Sequence, residues 1–266
     1  MHAFEYHRPG STKEALGLAS QKSEGRYLAG GQSLVQAMKL RLSSPSDLID
    51  LSSLKELVGI KASGNGVEIG AMTRHADVAE SAEVKKAIPA LAALAGIIGD
   101  RQVRHMGTLG GSLANNDPAA DYPAAVLGLG ATITTNKRKI EADKFFKSLY
   151  ETVLEPGELI TSVAFPAPKR AAYMKFKNPA SRFAIVGVFV ADFGGGKVRV
   201  GVTGAGPSAF RQAEMEKALA AKFAPEAVAN IKVKPGGLNN DLHASPEYRA
   251  HLVTVMAKRA VEAALK

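Results

Sequence analysis

Two stretches almost bare of side chains constrain this chain more than anything else in it. One is Gly107-Thr108-Leu109-Gly110-Gly111-Ser112-Leu113-Ala114-Asn115-Asn116-Asp117-Pro118-Ala119-Ala120-Asp121, and the other is Tyr27-Leu28-Ala29-Gly30-Gly31-Gln32-Ser33-Leu34. Paired glycines let main-chain N–H groups come close to a ligand, and successive N–H groups curled in a turn form an anion-binding nest. The hydroxyls of Thr108, Ser112 and Ser33 and the amides of Asn115 and Asn116 add polar groups at close quarters. Loops of this kind suit a phosphorylated cofactor, and two of them can grip two faces of one pyrophosphate. A single Gly-Gly pair is more often an ordinary turn.

Composition narrows the chemistry. A chain of 266 residues suits two domains, and its 46% hydrophobic and 22% charged content is that of a globular protein. No apolar run reaches the roughly 18 residues of a membrane span. Met1-His2-Ala3-Phe4 leads straight into polar sequence, so the expected location is the cytoplasm. The absence of cysteine excludes disulfides, thiolate metal sites and cysteine-ligated iron–sulfur clusters within these residues. The histidines are scattered, so no metal site is expected and any redox chemistry needs an organic cofactor. The net charge of +9 is spread along the chain, which favours partner docking or solvation over nucleic-acid binding.

Read in order, the chain opens extended to a Pro9-Gly10 turn, and Ser11 three residues before Glu14 marks a helix start. Strands are expected at Arg26 to Ala29 and Asp47 to Leu51, and a hairpin from Leu57 to Ala71 turning at Asn65-Gly66. A short helix near His75 to Glu80 and a buried one from Ile88 to Ile98 lead to the longer glycine stretch, read as a loop. Tyr122 to Leu129 is a buried helical piece. Ala131 to Thr135, Lys139 to Ala142 and Leu159 to Phe165 are strands, and Pro166-Ala167-Pro168 is the best boundary. Beyond it, strands at 172–177, 184–193 and 198–202 precede helices at 210–222, around Glu226 and at 246–265. Strands gathered before helices is an α+β pattern.

Other motifs have plainer readings. Gly204-Ala205-Gly206-Pro207-Ser208-Ala209 fits a dinucleotide fingerprint in form, but Pro207 removes an N–H where phosphate would sit, so it reads as a structural turn. Asp117 reads as a turn cap, whereas Asp121 is equally suited to accept from ligand hydroxyls. Lys177, Asn178, Ser181 and Arg182 form a polar patch between two strands.

With both glycine stretches in view, the sequence resembles the flavin-binding subunits of the molybdenum hydroxylases, of the carbon monoxide dehydrogenase and xanthine dehydrogenase type. The residues that carry this are Ala29 to Leu34, Met38 to Arg41, Asp47 to Leu51, Ile69 to Thr73, Thr108 to Asn115, Asp117 to Asp121, and Lys175 to Ala184. The resemblance implies an α+β protein. A two-lobed FAD-binding domain of the vanillyl-alcohol-oxidase type would span residues 1–167, with lobes of about 1–56 and 57–167, and a smaller α+β domain would span 168–266.

It further implies that Ala29, Gly30, Gly31, Gln32, Ser33 and Leu34, with Thr108, Gly110, Gly111 and Ser112, hold the pyrophosphate of FAD. Asn115 belongs to the same cofactor-binding set, and Asp121 would take ribityl or ribose hydroxyls. Ile98 would lie near the isoalloxazine ring, and Ile160 and Lys177 match flavin-contacting positions. No catalytic residue and no metal ligand is expected in this chain. The implied partners are an iron–sulfur small subunit and a molybdenum-cofactor large subunit, as a dimer of heterotrimers. Electrons would pass from the clusters through FAD to an external acceptor. A stand-alone FAD oxidase or dehydrogenase of the same fold is the alternative, and a binding protein that has lost flavin is a third.

Overall fold

The computed structural model describes residues 1–266. The chain first builds a small parallel sheet from β1 (Glu5–His7), β2 (Arg26–Leu28) and β3 (Asp47–Asp50), with β3 central, flanked by α1 (Thr12–Gln21) and α2 (Leu34–Lys39). Ser11 caps α1 by accepting from the Glu14 N–H, and the Glu14 carboxylate reaches back to the Gly10 N–H. Ala15, Ile49, Leu51 and Leu54 form its compact core.

The second unit is an antiparallel sheet in the order β4 (Ile60–Ser63), β5 (Gly66–Gly70), β10 (Ile160–Phe165), β6 (Thr132–Thr135), β7 (Lys139–Glu141), wrapped around a run of helices. The helices are α3 (His75–Glu80), α4 (Ala82–Ala87), α5 (Pro89–Gly96), α6 (Arg101–Met106), α7 (Leu109–Asn115) and α8 (Tyr122–Leu129). A small hairpin, β8 (Phe146–Ser148) and β9 (Glu151–Thr152), completes it. No residue of α8 is exposed to solvent, which its lack of any charged side chain permits.

The third unit is an antiparallel sheet, β11 (Arg170–Lys177), β12 (Ala184–Asp192), β13 (Val198–Thr203) and β14 (Phe210–Arg211), followed by α9 (Ala213–Ala221), α10 (Pro225–Ala229) and α11 (Pro246–Ala264). All nine residues of β12 are buried because the strand is covered on both sides. Val186, Val188 and Val190 face α9 and α11, while Phe189 and Ala191 join the core of the second unit. The third sheet is thereby fastened to α8.

The structure departs from the sequence reading at three places that matter. Lys55–Leu57 is a 3-10 turn, and the hairpin's first strand begins at Ile60. Phe210–Arg211 is an edge strand instead of the start of a helix. Most important, the longer glycine stretch is largely a helix. Thr108 caps α7 by accepting from the Gly111 N–H, Leu109 and Leu113 bury one face, and Asn116 closes it in the left-handed conformation.

Candidate cofactor site

The two glycine segments meet. A Cβ built on Gly30 would lie 2.1 Å from the Met106 carbonyl oxygen, and one on Gly111 would lie 3.4 Å from the Ala29 Cβ. They form one wall of a cleft of about 610 Å³ between the first two units, within the range of small-molecule sites. Ala29 to Leu34, Ile98, Thr108, Gly110, Gly111, Ser112, Asn115, Asp121 and Ile160 all line it.

The segments contribute differently to this wall. The N–H groups of residues 29 to 34 donate to no group within the chain, so six successive donors are available to a ligand. Gly31, at φ 71°, supplies the left-handed turn that curls the row. In the second segment most donors are already engaged. Gly110 N–H donates to Ala71 O at 2.8 Å, Gly111 N–H to Thr108 Oγ1 at 3.2 Å, and Ser112 N–H to Thr108 O at 3.0 Å. Gly110 lacks a side chain for a packing reason, since its Cβ would lie 2.6 Å from the Ala71 Cβ. Both pairs permit close approach, Gly30 to Met106 and Gly110 to Ala71, but only the first segment leaves its N–H groups free.

Lys177 is the one expected residue that the cleft does not contain. It is exposed at the end of β11, two residues beyond Lys175. The lysine at the site is Lys175, whose Nζ lies 3.0 Å from Asp121 Oδ1 and donates to Ile97 O at 2.9 Å. Tyr173 Oη donates to Asp121 Oδ1 at 2.6 Å. Asp121 was read as suited equally to a structural role and to ligand hydroxyls; its carboxylate is held by two partners from β11 and is 3% exposed. Burial pushes its pKa above the usual carboxylate range, while Lys175 and Tyr173 pull it back.

Two further polar groups shape the walls. Glu158 accepts from Arg138 Nε and Nη2, the Glu155 N–H and the Thr135 hydroxyl. Burial acts to raise its pKa, but these donors prevail and hold it at about 2. His75 was not singled out by the sequence. It lines the cleft at 5% exposure, its Nδ1 has no partner, and burial with the nearby Arg104 charge lowers its pKa to about 4. Tyr150, Leu154 and the half-exposed Phe183 also line the cleft. A lone histidine, or an aromatic in a loop, carries no local pattern that would have marked it.

Comparison with known proteins decides the family. Residues 2–168 match the model of the FAD binding domain in molybdopterin dehydrogenase, and residues 171–264 match that of the CO dehydrogenase flavoprotein C-terminal domain. The chain belongs to the FAD-binding medium subunits of the molybdenum hydroxylases. This medium subunit is 36% identical to the carbon monoxide dehydrogenase medium chain of Hydrogenophaga pseudoflava, covering 98% of this chain and 96% of that one. It is 35% identical to the glyceraldehyde dehydrogenase medium chain of Sulfolobus acidocaldarius, over 97% of this chain and 96% of the relative. Among solved structures, a chain of the reconstituted CO dehydrogenase from Oligotropha carboxidovorans superposes with a TM-score of 0.91 at 33% identity, covering 99% and 98% of the two chains. The medium subunit is thus an oxidoreductase flavoprotein with FAD as its cofactor, in a two-lobed FAD-binding fold followed by an α+β C-terminal unit. No helix is long and apolar enough to cross a membrane.

Proposed function

We propose that this medium subunit carries electrons between an iron–sulfur partner and an external acceptor through FAD held in the cleft described above. The observation that carries the proposal is the row of six unpartnered N–H groups from Ala29 to Leu34, beside the capped start of α7 in one wall of a cleft of suitable size. Those donors would neutralise a pyrophosphate, with the Ser33 and Ser112 hydroxyls beside them. Bound there, FAD supplies a ring that accepts and returns electrons, and the protein sets its position and potential. Ile98 would pack near that ring, and Ile160 and Asn115 would contact the cofactor elsewhere along the cleft. Asp121, oriented by Tyr173 and Lys175, would keep a lone pair for a sugar or ribityl hydroxyl. Lys175 takes the place that the sequence assigned to Lys177.

The FAD-binding unit would end at about residue 167, with lobes near 1–56 and 57–167, and 168–266 would form the second domain. Having no cysteine, this chain needs its clusters on another polypeptide. The proposed assembly is a dimer of heterotrimers with an iron–sulfur small subunit and a molybdenum-cofactor large subunit, working in the cytoplasm. The test is purification of the native complex with metal and flavin analysis. FAD together with a cluster-bearing chain and a molybdenum-bearing chain supports the proposal; a flavin-loaded chain that oxidises an organic substrate alone contradicts it.

A further inference from the structure

The third unit does more than cover the core. One face of β13 reads the backbone of the segment that leads from the cleft into α8. Arg199 Nε donates to Leu127 O at 2.7 Å, Gly201 packs so closely on Ala124 that its Cβ would lie 2.2 Å from the Ala124 carbonyl oxygen, and the Thr203 hydroxyl reaches Ala120 O at 2.6 Å and Pro118 O at 3.0 Å. The opposite face of the same strand, Val198, Val200 and Val202, is ordinary apolar core. Thr203 is fully buried. Its single proton is shared by two carbonyls, but Pro118 O also accepts from the Gly204 N–H at 2.7 Å, whereas Ala120 O has no other donor. Ala120 and Asp121 both line the cleft.

A valine at position 203 would fill the same volume. The hydroxyl answers a different need: without it the Ala120 carbonyl loses its only partner, and the segment is free to turn away from the cleft. We infer that Thr203 is a positioning residue for the cofactor site, fixing Ala120 and through it the Asp121 carboxylate, which Tyr173 and Lys175 hold from β11, two strands away in the same sheet. The inference rests on the proposal that FAD occupies the cleft. It makes the third unit a working part of the flavin site, acting through a side chain that touches no ligand.

The test compares Thr203→Val, Thr203→Ser and Tyr173→Phe in the full chain, using FAD as the probe, with binding followed by flavin fluorescence and by the visible spectrum of the bound form. Thr203→Val is expected to weaken FAD binding about tenfold or more and to shift the bound-flavin spectrum, because an orphaned carbonyl relaxes away from its place. Thr203→Ser, which restores the donor, should stay within about twofold of wild type. Tyr173→Phe, which removes a donor to Asp121 by a separate route, should weaken binding in the same direction, and it decides the matter if Thr203→Val does not fold. Unchanged affinity and spectrum in Thr203→Val, equal losses in the Val and Ser variants, or unchanged affinity in Tyr173→Phe would overturn the inference. Failure of the wild-type chain to bind FAD would instead count against the cofactor assignment itself.

Discussion

Gly30→Ala should separate the two glycine segments and weaken FAD binding while leaving the rest of the fold intact. Gly30 does not have a positive φ, so alanine adds no backbone strain and the effect is purely steric. The added Cβ would lie 2.1 Å from Met106 O and 2.7 Å from the Gly107 Cα. Relief therefore requires about 1 Å of movement, and because both contacts are main chain no side chain can rotate away. Overpacking of this kind costs about 2 kcal/mol, which corresponds to a roughly thirtyfold higher dissociation constant if the opening falls mainly on the liganded state. Fluorescence titration of flavin-free protein with FAD measures this directly. Gly17→Ala is the matched control: it lies in α1 with no atom within 4 Å of the new Cβ, and should add helix stability without altering FAD affinity. A Gly30→Ala protein that binds FAD within about twofold of wild type would refute the proposed contact between the segments.

Three further outcomes are expected. Lys177→Ala should leave FAD affinity unchanged, whereas Lys175→Met should destabilise the fold by about 3 kcal/mol or more, since it strands the Asp121 carboxylate without its cation; denaturant midpoints and FAD titration of both variants check this. His75 has a folded pKa of about 4 against an ordinary 6.5, so the unfolded chain binds the extra proton first and stability falls as pH drops from about 6.5 to about 4. That loss is on the order of 3 kcal/mol, and His75→Phe should flatten it in urea titrations at about pH 7.5 and about pH 4.5. Arg138→Met should lower the urea midpoint, because Glu158 keeps its burial and loses its charged donors; the Arg138 side chain is partly exposed, which keeps the cost below that of a fully buried pair. A urea midpoint unchanged from wild type would contradict this last expectation.

The sequence marked the cleft through its glycines because close backbone approach demands them, and Gly30 against Met106 is the clearest case. The same pattern concealed the difference between the pairs. Nothing local distinguishes Gly31, whose segment leaves its N–H groups free, from Gly110, whose N–H and Cβ position are both taken by Ala71. The short helix α7 was hidden by its glycine content, although Thr108 as a cap and Leu109 with Leu113 one turn apart are a helical signature. Asp121 and Lys175 are 54 positions apart, and His75 gains its character only from burial, so neither environment could be read from neighbours in the chain. Lys177 and Lys175 are two residues apart on one strand, and only the contact of Lys175 with Asp121, which no local pattern announces, separates them.

Amide hydrogen exchange over residues 27–35, with and without FAD, tests most directly whether the free N–H row seats the pyrophosphate. Within that segment the amides of residues 29 to 34 have no acceptor in the chain, whereas Val35 N–H donates to Gly31 O at 3.2 Å. Marked slowing of exchange in this segment on adding FAD is the predicted result. Unchanged exchange there, with saturating FAD bound and protection appearing elsewhere, would contradict it.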